Sequence, residues 1–315
     1  MKNLVVYHKI RPDHLERLQK AYTAGEVQVC TDTEGLKTSL KEAEVLVAFR
    51  MAPEALAGAP HLKWIQALTA GVEDLPLADI RRRGILLTNG RGIHRIHMSE
   101  CAIAALIMLA RNFQELFRNQ LQGIWNRKVP QGQIHGAVLG ILGLGSIGAE
   151  IARRASLFGM RVLGVKHTPA AVTGVERVYG PTGMQAVFRQ SDYVINLLPD
   201  TPATRGIVGR DLFACMKPTA CFINIGRGKT VDQEALIEAL QAGKIRGLFT
   251  DVYADEPLPA DSPLWKLKNV ILTPHVCGVS DQYTDRAMEI VEHNLAVYTS
   301  GRGAFRNRVD LDAGY

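Results

Sequence analysis

"GILGLGSIGAEIARRASLFGMRVLGVKH", residues 140–167, decides the fold. Gly143, Gly145 and Gly148 form GxGxxG directly after the apolar run "AVLGIL" and directly before the amphipathic run "AEIARRASLFG". In a strand–turn–helix unit the first glycine permits the tight turn. The second lets the backbone approach a pyrophosphate, and the third lets helix pack closely on strand. The helix N-terminus adds unpaired N–H groups and a dipole that favours phosphate. A second β-rich run, "RVLGV", follows in the order a dinucleotide-binding unit requires, whereas a glycine turn alone could be purely structural.

The end of that second strand selects the cofactor. An NAD site places Asp or Glu about 20 residues after the turn, to accept hydrogen bonds from the ribose. Here the position holds Lys166, and no acidic residue occurs from Ile151 to Val175. An ammonium attracts a 2′-phosphate that a carboxylate would repel, and His167 and Thr168 are further donors. NADP(H) is therefore the preferred cofactor, with NAD(H) possible if Lys166 is only a solvated lysine. Arg153 and Arg154 read as the solvated face of the helix.

Outward from this unit, β-rich runs alternate with helical stretches along the whole chain, the pattern of parallel sheets covered by helices. "LVVYH", "VQVC", "VLVAF", "WIQAL" and "ILLTN" make a first α/β series over residues 1–93. A helix is expected from near Ser99 through "CAIAALIMLARNFQELFRNQ", followed by the loop "GIWNRKVPQGQIHG". "AVLGIL", "RVLGV", "YVINLL", "ACFINI", "GLFTDV" and "VILTP" make a second series within 94–279, and one long helix dominates 280–315. The fold class is α/β with two doubly wound parallel-sheet domains.

Composition narrows the function classes. With 47% hydrophobic and 22% charged residues, a chain of 315 can bury a large core. The longest apolar run, Cys101–Ala110, is far shorter than the roughly 20 residues of a spanning helix, so no membrane segment is expected. "LVVY" gives way at once to "HKIRPDH", without a signal-peptide pattern, which makes cytoplasmic residence the expectation. The net charge of +6 is dispersed, without the aromatic-interleaved basic patch of a nucleic-acid binder, and suits small anions. Five scattered cysteines, with no CxxC, point to mostly reduced thiols and to no metal site.

Three further segments fall at predicted carboxyl ends of strands, where open α/β sheets bind ligands. "NIGRGKTVD" sets Arg227 between two glycines, "TDVYADEPLP" carries Asp251 and Glu256, and "LTPHVCG" carries His275. Singly, these read as a surface cation, a loop carboxylate and a satisfied histidine. Together they supply what reduction of a 2-keto acid by hydride transfer needs. A guanidinium fork holds the carboxylate and polarises the carbonyl, His275 protonates the developing alkoxide, and Glu256 orients and favours the imidazolium.

With these motifs in place, the chain resembles the D-isomer-specific 2-hydroxy acid dehydrogenases, which include glyoxylate, hydroxypyruvate and phosphoglycerate dehydrogenases. "LTAGVEDL", "GLGSIG", "LLPDTPATRGIV", "MKPTACFINIGRGKTVDQEAL", "TDVYADEPLP" and "LTPHVCG" occur in family order and spacing. The resemblance implies a Rossmann cofactor domain inserted into a flavodoxin-like substrate domain. It implies Arg227, Glu256 and His275 as catalytic residues, with Asp251 binding the nicotinamide carboxamide. It also puts Ser146, Ile147, Leu198, Pro199, Gly226 and Gly278 at cofactor contacts. Ala70, Gly71 and Val72 would offer N–H groups to the substrate carboxylate, Arg50 would contact substrate, and the helix beginning near Ser99 would carry a homodimer contact.

Some residues depart from the family pattern. Lys166 replaces the acidic residue of NAD-using members, Cys277 stands where a small apolar residue is commoner, and His94 and His97 lie near the junction of the two domains. The expected function is NADPH-dependent reduction of a small 2-keto acid such as glyoxylate or hydroxypyruvate to the D-2-hydroxy acid. The alternatives are an NAD-linked dehydrogenase of another small anion (formate, phosphite) and a dinucleotide-sensing binding protein.

Overall fold

Short runs of Val, Ile and Leu become parallel strands buried on both faces, and the amphipathic segments between them become covering helices. The structure, a computed structural model, describes residues 2–72 and 74–311. Met1, Glu73 and the last four residues of the expected 280–315 segment lie outside these. Two compact units result, one of residues up to His94 together with Ser280 onward, the other of Arg95–Val279. His94 goes with the first, where its ring stands edge-on to Tyr283 at 5.2 Å.

In the first unit, β1 (Asn3–Tyr7), α1 (Pro12–Ala21), β2 (Val27–Cys30), α2 (Thr33–Leu40) and β3 (Ala43–Ala48) are followed by α3 (Pro53–Ala57), β4 (Trp64–Ala67), α4 (Leu77–Arg82) and β5 (Leu86–Thr88). The sheet is parallel in the order β2-β1-β3-β4-β5, the five-stranded doubly wound arrangement of flavodoxin-like folds. Alternate residues face opposite sides. Val5, Leu46 and Ile65 pack with Leu36, Leu40, Leu56 and Ile80, whereas Leu4, Val45 and Trp64 pack with Leu18, Met288 and Leu295.

The second unit begins with α5 (Arg95–Ala110) and α6 (Phe113–Leu121). It continues through β6 (Val138–Leu142), α7 (Ser146–Leu157), β7 (Arg161–Val165), β8 (Arg177–Tyr179), α8 (Met184–Gln190) and β9 (Tyr193–Asn196). Next come α9 (Arg210–Cys215), β10 (Cys221–Asn224), α10 (Gln233–Gln241), β11 (Gly247–Thr250) and β12 (Val270–Leu272), before α11 (Tyr283–Ser300) returns to the first unit. The sheet order is β12-β11-β10-β9-β6-β7-β8, all parallel. Counted from β6, it reads 3-2-1-4-5-6-7, a Rossmann sheet with one added strand. Helices α5 and α7 cover one face and α8, α9 and α10 the other.

Two elements differ from expectation for local reasons. The helix expected from Ser99 starts at Arg95, because the Ser99 hydroxyl donates to the Ile96 carbonyl at 2.7 Å inside the helix and does not cap it. It also breaks after Ala110, where Asn112 adopts φ 51° and its side-chain amide donates to the Pro130 carbonyl at 2.6 Å. Asn tolerates the left-handed region better than most residues. Strand β8 carries no sequence signal: it has three residues, sits at the sheet edge and lacks an apolar run. No single helix among the described residues is long and apolar enough to cross a membrane.

Candidate active site

The glycines after β6 each do a separate job. Gly143 has φ 100°, and a Cβ there would sit 3.2 Å from the Leu197 carbonyl oxygen. A Cβ at Gly148 would run into the Gly143 carbonyl, so the first turn of α7 lies against the end of β6. At Gly145 a Cβ would meet nothing within 4 Å. That open face, with the N-terminus of α7 uncapped by any side chain, fits a pyrophosphate.

At the end of β7, Lys166 is half-buried while His167 and Thr168 are exposed. The neighbouring guanidiniums are already engaged. Arg153 and Arg154 reach Glu150 at 2.7 and 2.8 Å and hold its carboxyl down to about 2, and Arg161 pairs with Glu176 at 2.8 Å. The strand end therefore offers Lys166 and His167, outside those pairs, to an anion.

The third group of residues pairs a carboxylate with an imidazole. Glu256, joined to Pro257 by a cis peptide, is fixed from two sides: Oε1 accepts from the Tyr253 N–H at 3.0 Å, and Oε2 lies 2.7 Å from His275 Nδ1. His275 has φ 55°, a conformation that costs a non-glycine residue about 1–3 kcal/mol. Asp251, 2% exposed, supplies the restraint. Its carbonyl accepts from the His275 N–H at 2.8 Å. Its carboxylate accepts from the N–H groups of Val276 and Cys277, each at 2.9 Å, and from the Thr273 hydroxyl at 2.6 Å. With Nδ1 committed to Glu256, the other ring nitrogen of a half-exposed imidazole is left to serve a ligand.

Arg227 follows β10, half-buried, with Nη1 donating to the Gly226 carbonyl at 3.0 Å. Its flanking glycines are demanded by backbone contact. A Cβ at Gly226 would lie 2.9 Å from Leu197 Cα, and one at Gly228 would collide with the Tyr253 carbonyl. A continuous line results: Gly143 touches Leu197, Leu197 touches Gly226, Gly228 touches Tyr253, and Tyr253 holds Glu256, which holds His275.

Three residues that sequence reasoning missed lie beneath this line. Asn196 donates to Asn224 Oδ1 at 3.0 Å and to the Thr230 hydroxyl at 2.8 Å, and accepts from the Leu198 N–H at 3.2 Å. Asn224 Oδ1 also takes the Gly226 N–H at 3.3 Å, and the Thr230 hydroxyl donates to the Arg227 carbonyl at 2.6 Å. All three are buried, so this satisfied network ties the Leu198–Pro199 loop to the arginine turn. The available signal was polar residues at the ends of otherwise apolar strands, "YVIN" and "CFIN".

The first unit holds the remaining expected residues. Arg50 is exposed after β3, and Ala70, Gly71 and Val72 follow β4. The carbonyls of Thr69, Ala70, Gly71 and Val72 all accept internal bonds, from the Gly90 N–H, the Asn89 amide, the Thr69 hydroxyl and the Leu75 N–H. His97 belongs to the second unit, where its Nε2 lies 3.0 Å from the Gly278 carbonyl. Cys30, Cys215 and Cys221 are free thiols, in line with mostly reduced cysteines, and Cys101 and Cys277 are paired, which their scatter along the sequence does not reveal.

Residues 103–277 match the model of the D-isomer specific 2-hydroxyacid dehydrogenase, NAD binding domain. The chain belongs to that family. Among other members of these dehydrogenases, the glyoxylate reductase of Korarchaeum cryptofilum is 35% identical over 83% of this chain and 81% of its own length. The D-3-phosphoglycerate dehydrogenase of Methanocaldococcus jannaschii is 33% identical over 90% of this chain, which spans only 55% of that relative. Among solved structures, the NADPH-dependent glyoxylate/hydroxypyruvate reductase of Sinorhizobium meliloti, in complex with NADP and sulfate, superposes with a TM-score of 0.84. It is 29% identical, and the match covers 100% of both chains.

Proposed function

We propose that this dehydrogenase uses NADPH to reduce a small 2-keto acid, glyoxylate, hydroxypyruvate or a close analogue, to the D-2-hydroxy acid. The Glu256–His275 couple at 2.7 Å, joined by backbone contacts to the arginine turn and the glycine turn, carries the reading. The dinucleotide fits the open face at Gly145, the first turn of α7 with Ser146 and Ile147, the Leu198–Pro199 loop, Gly226 and Gly278, with Asp251 near the carboxamide. Lys166, His167 and Thr168 take the 2′-phosphate, and NAD(H) is the weaker ligand. When bound, the reduced nicotinamide supplies the hydride. Arg227 holds the substrate carboxylate and polarises the carbonyl, and His275 delivers the proton, while Arg50 and the N–H groups of Ala70, Gly71 and Val72 are the substrate contacts proposed for the first unit. Following nicotinamide absorbance with NADPH and with NADH against a panel of 2-keto acids, formate and phosphite tests the reading. Oxidation of NADPH by a 2-keto acid supports it, and turnover only with formate or phosphite, or none at all, overturns it.

Glu256→Gln removes the carboxylate that fixes the His275 ring through Nδ1, so turnover is expected to fall by about tenfold or more while NADPH binding is little changed. Steady-state turnover and the NADPH dissociation constant check this, and wild-type turnover in the variant would leave Glu256 without a part in the proton step.

The same reading includes a homodimer and a cytoplasmic location, the latter to be checked by cell fractionation. Helix α6 has no buried residue, and Phe117, Leu121, Ile124 and Trp125 form an apolar stretch in which Leu121 is 87% and Trp125 91% exposed. A second copy covering this face removes that surface from water. Light scattering is expected to give about twice the 34.6 kDa chain mass, falling to one chain for Leu121→Asp with Trp125→Ser. A wild-type monomer at micromolar concentration would sink the dimer.

A further inference from the structure

Behind the acid, two sulfurs meet. Cys277, 5% exposed, stands two residues after His275, and Cys101 lies half-buried on α5. They are paired with Cα atoms 5.9 Å apart across a sequence separation of 176. That spacing lies well inside the range of Cα separations that disulfides span. One helical turn earlier on the same face of α5, His97 places Nε2 3.0 Å from the Gly278 carbonyl. Two consecutive residues of the catalytic loop, Cys277 and Gly278, are thus gripped by two residues of one helix four positions apart.

The other cysteines are not suited to such a role. Cys30, Cys215 and Cys221 are unpaired, and burial pushes the Cys221 thiol up to about 11 and raises that of Cys30. The joined state is also the state in which His275 Nδ1 lies 2.7 Å from Glu256 and Asp251 holds the loop N–H groups. Closing the bond therefore leaves the proton donor assembled.

We infer that Cys101 and Cys277 form a reversible thiol–disulfide site, oxidised by low-molecular-weight disulfides of the glutathione type, that latches the His275 loop to α5 without stopping turnover. The more accessible Cys101 attacks first, as thiolate, on one sulfur of the small disulfide and expels one small thiolate. Cys277, as thiolate, then attacks the Cys101 sulfur of the mixed disulfide and expels the second. Two cysteine thiols and one small disulfide become one protein disulfide and two small thiols, so the two electrons and two protons lost by the protein are carried by the small molecule. The inference stands on the cysteine pair itself, so its main readouts do not need the reductase reading to hold.

The test exposes the whole chain to glutathione disulfide, quenches with acid, denatures, and alkylates the free thiols. Two of the five cysteines are expected to escape alkylation, with a Cys101–Cys277 cross-linked peptide in the mass spectrum, and dithiothreitol should restore all five. Closing so long a loop is expected to raise the melting temperature by about 5 °C or more relative to the reduced chain. Cys101→Ala should abolish both the protection and the shift. Turnover of oxidised and reduced forms, with whichever substrate the panel identifies, is expected to agree within about twofold, because Asp251 and Glu256 hold the His275 loop independently of the bond. Alkylation of all five residues, a mixed disulfide with glutathione as the end product, an unchanged melting temperature, or loss of turnover on oxidation would each overturn the latch. Absence of any dehydrogenase activity in both forms would instead count against the proposed function and leave the thiol and melting readouts to decide.

Discussion

His275→Asn is expected to lower turnover at least about 100-fold while NADPH binding stays nearly unchanged, because a general acid is worth roughly 10²- to 10⁴-fold. Asn suits the test for a structural reason. His275 sits at φ 55°, where Asn is tolerated and Ala is strained. The substitution therefore keeps the loop conformation that Asp251 holds and removes only the acid. Steady-state turnover and the dissociation constant of NADPH are measured together. Turnover within a few-fold of wild type removes His275 from the proton step, and a parallel loss of NADPH binding points to a displaced loop.

Lys166→Asp is expected to weaken NADPH binding by roughly 10- to 150-fold, the value of losing one hydrogen bond to a charged group at about 1.5 to 3 kcal/mol. NADH should gain, since the new carboxylate accepts from the ribose hydroxyls. The nearby arginines are poor substitutes, with Arg153 and Arg154 on Glu150 and Arg161 on Glu176. His167 and Thr168 moderate the loss toward the lower end. In the wild type, added salt should weaken NADPH more than NADH, because the 2′-phosphate carries the additional charge. Equal wild-type affinities for the two cofactors, or an unchanged ratio in the variant, would return Lys166 to the status of a surface lysine.

The sheets were legible because their strands are apolar runs punctuated by polar helices, and because GxGxxG leaves few alternatives once strand, turn and helix follow in order. Glu256 and His275, 19 residues apart, could be paired from the residue types that the chemistry needs, and they meet at 2.7 Å. What the sequence concealed is of two kinds. Asn196, Asn224 and Thr230 are polar groups whose partners lie across neighbouring strands, and nothing local distinguishes a networked asparagine from one at the start of a loop. The pairing of Cys101 with Cys277 and the clamp of Asp251 on Val276 and Cys277 depend on chain folding over long separations. Asn112 failed for the opposite reason: one residue in a left-handed conformation cuts a helix whose apolar periodicity runs straight through it.

The main-chain contacts at Gly143, Gly226 and Gly228 bear on how such a chain can diverge. A methyl group at Gly226 or Gly228 displaces backbone, which has no alternative rotamer with which to accommodate it, and at Gly143 the φ of 100° itself disfavours any side chain. Substitution at these positions is expected to disturb the turns themselves. Substitution meets less resistance at Lys166, half-buried after β7, and at the exposed His167, Thr168 and Arg50. On the proposed reading, cofactor and substrate preference stay open to point substitution, whereas the backbone-packed turns that carry Arg227 and Glu256 do not.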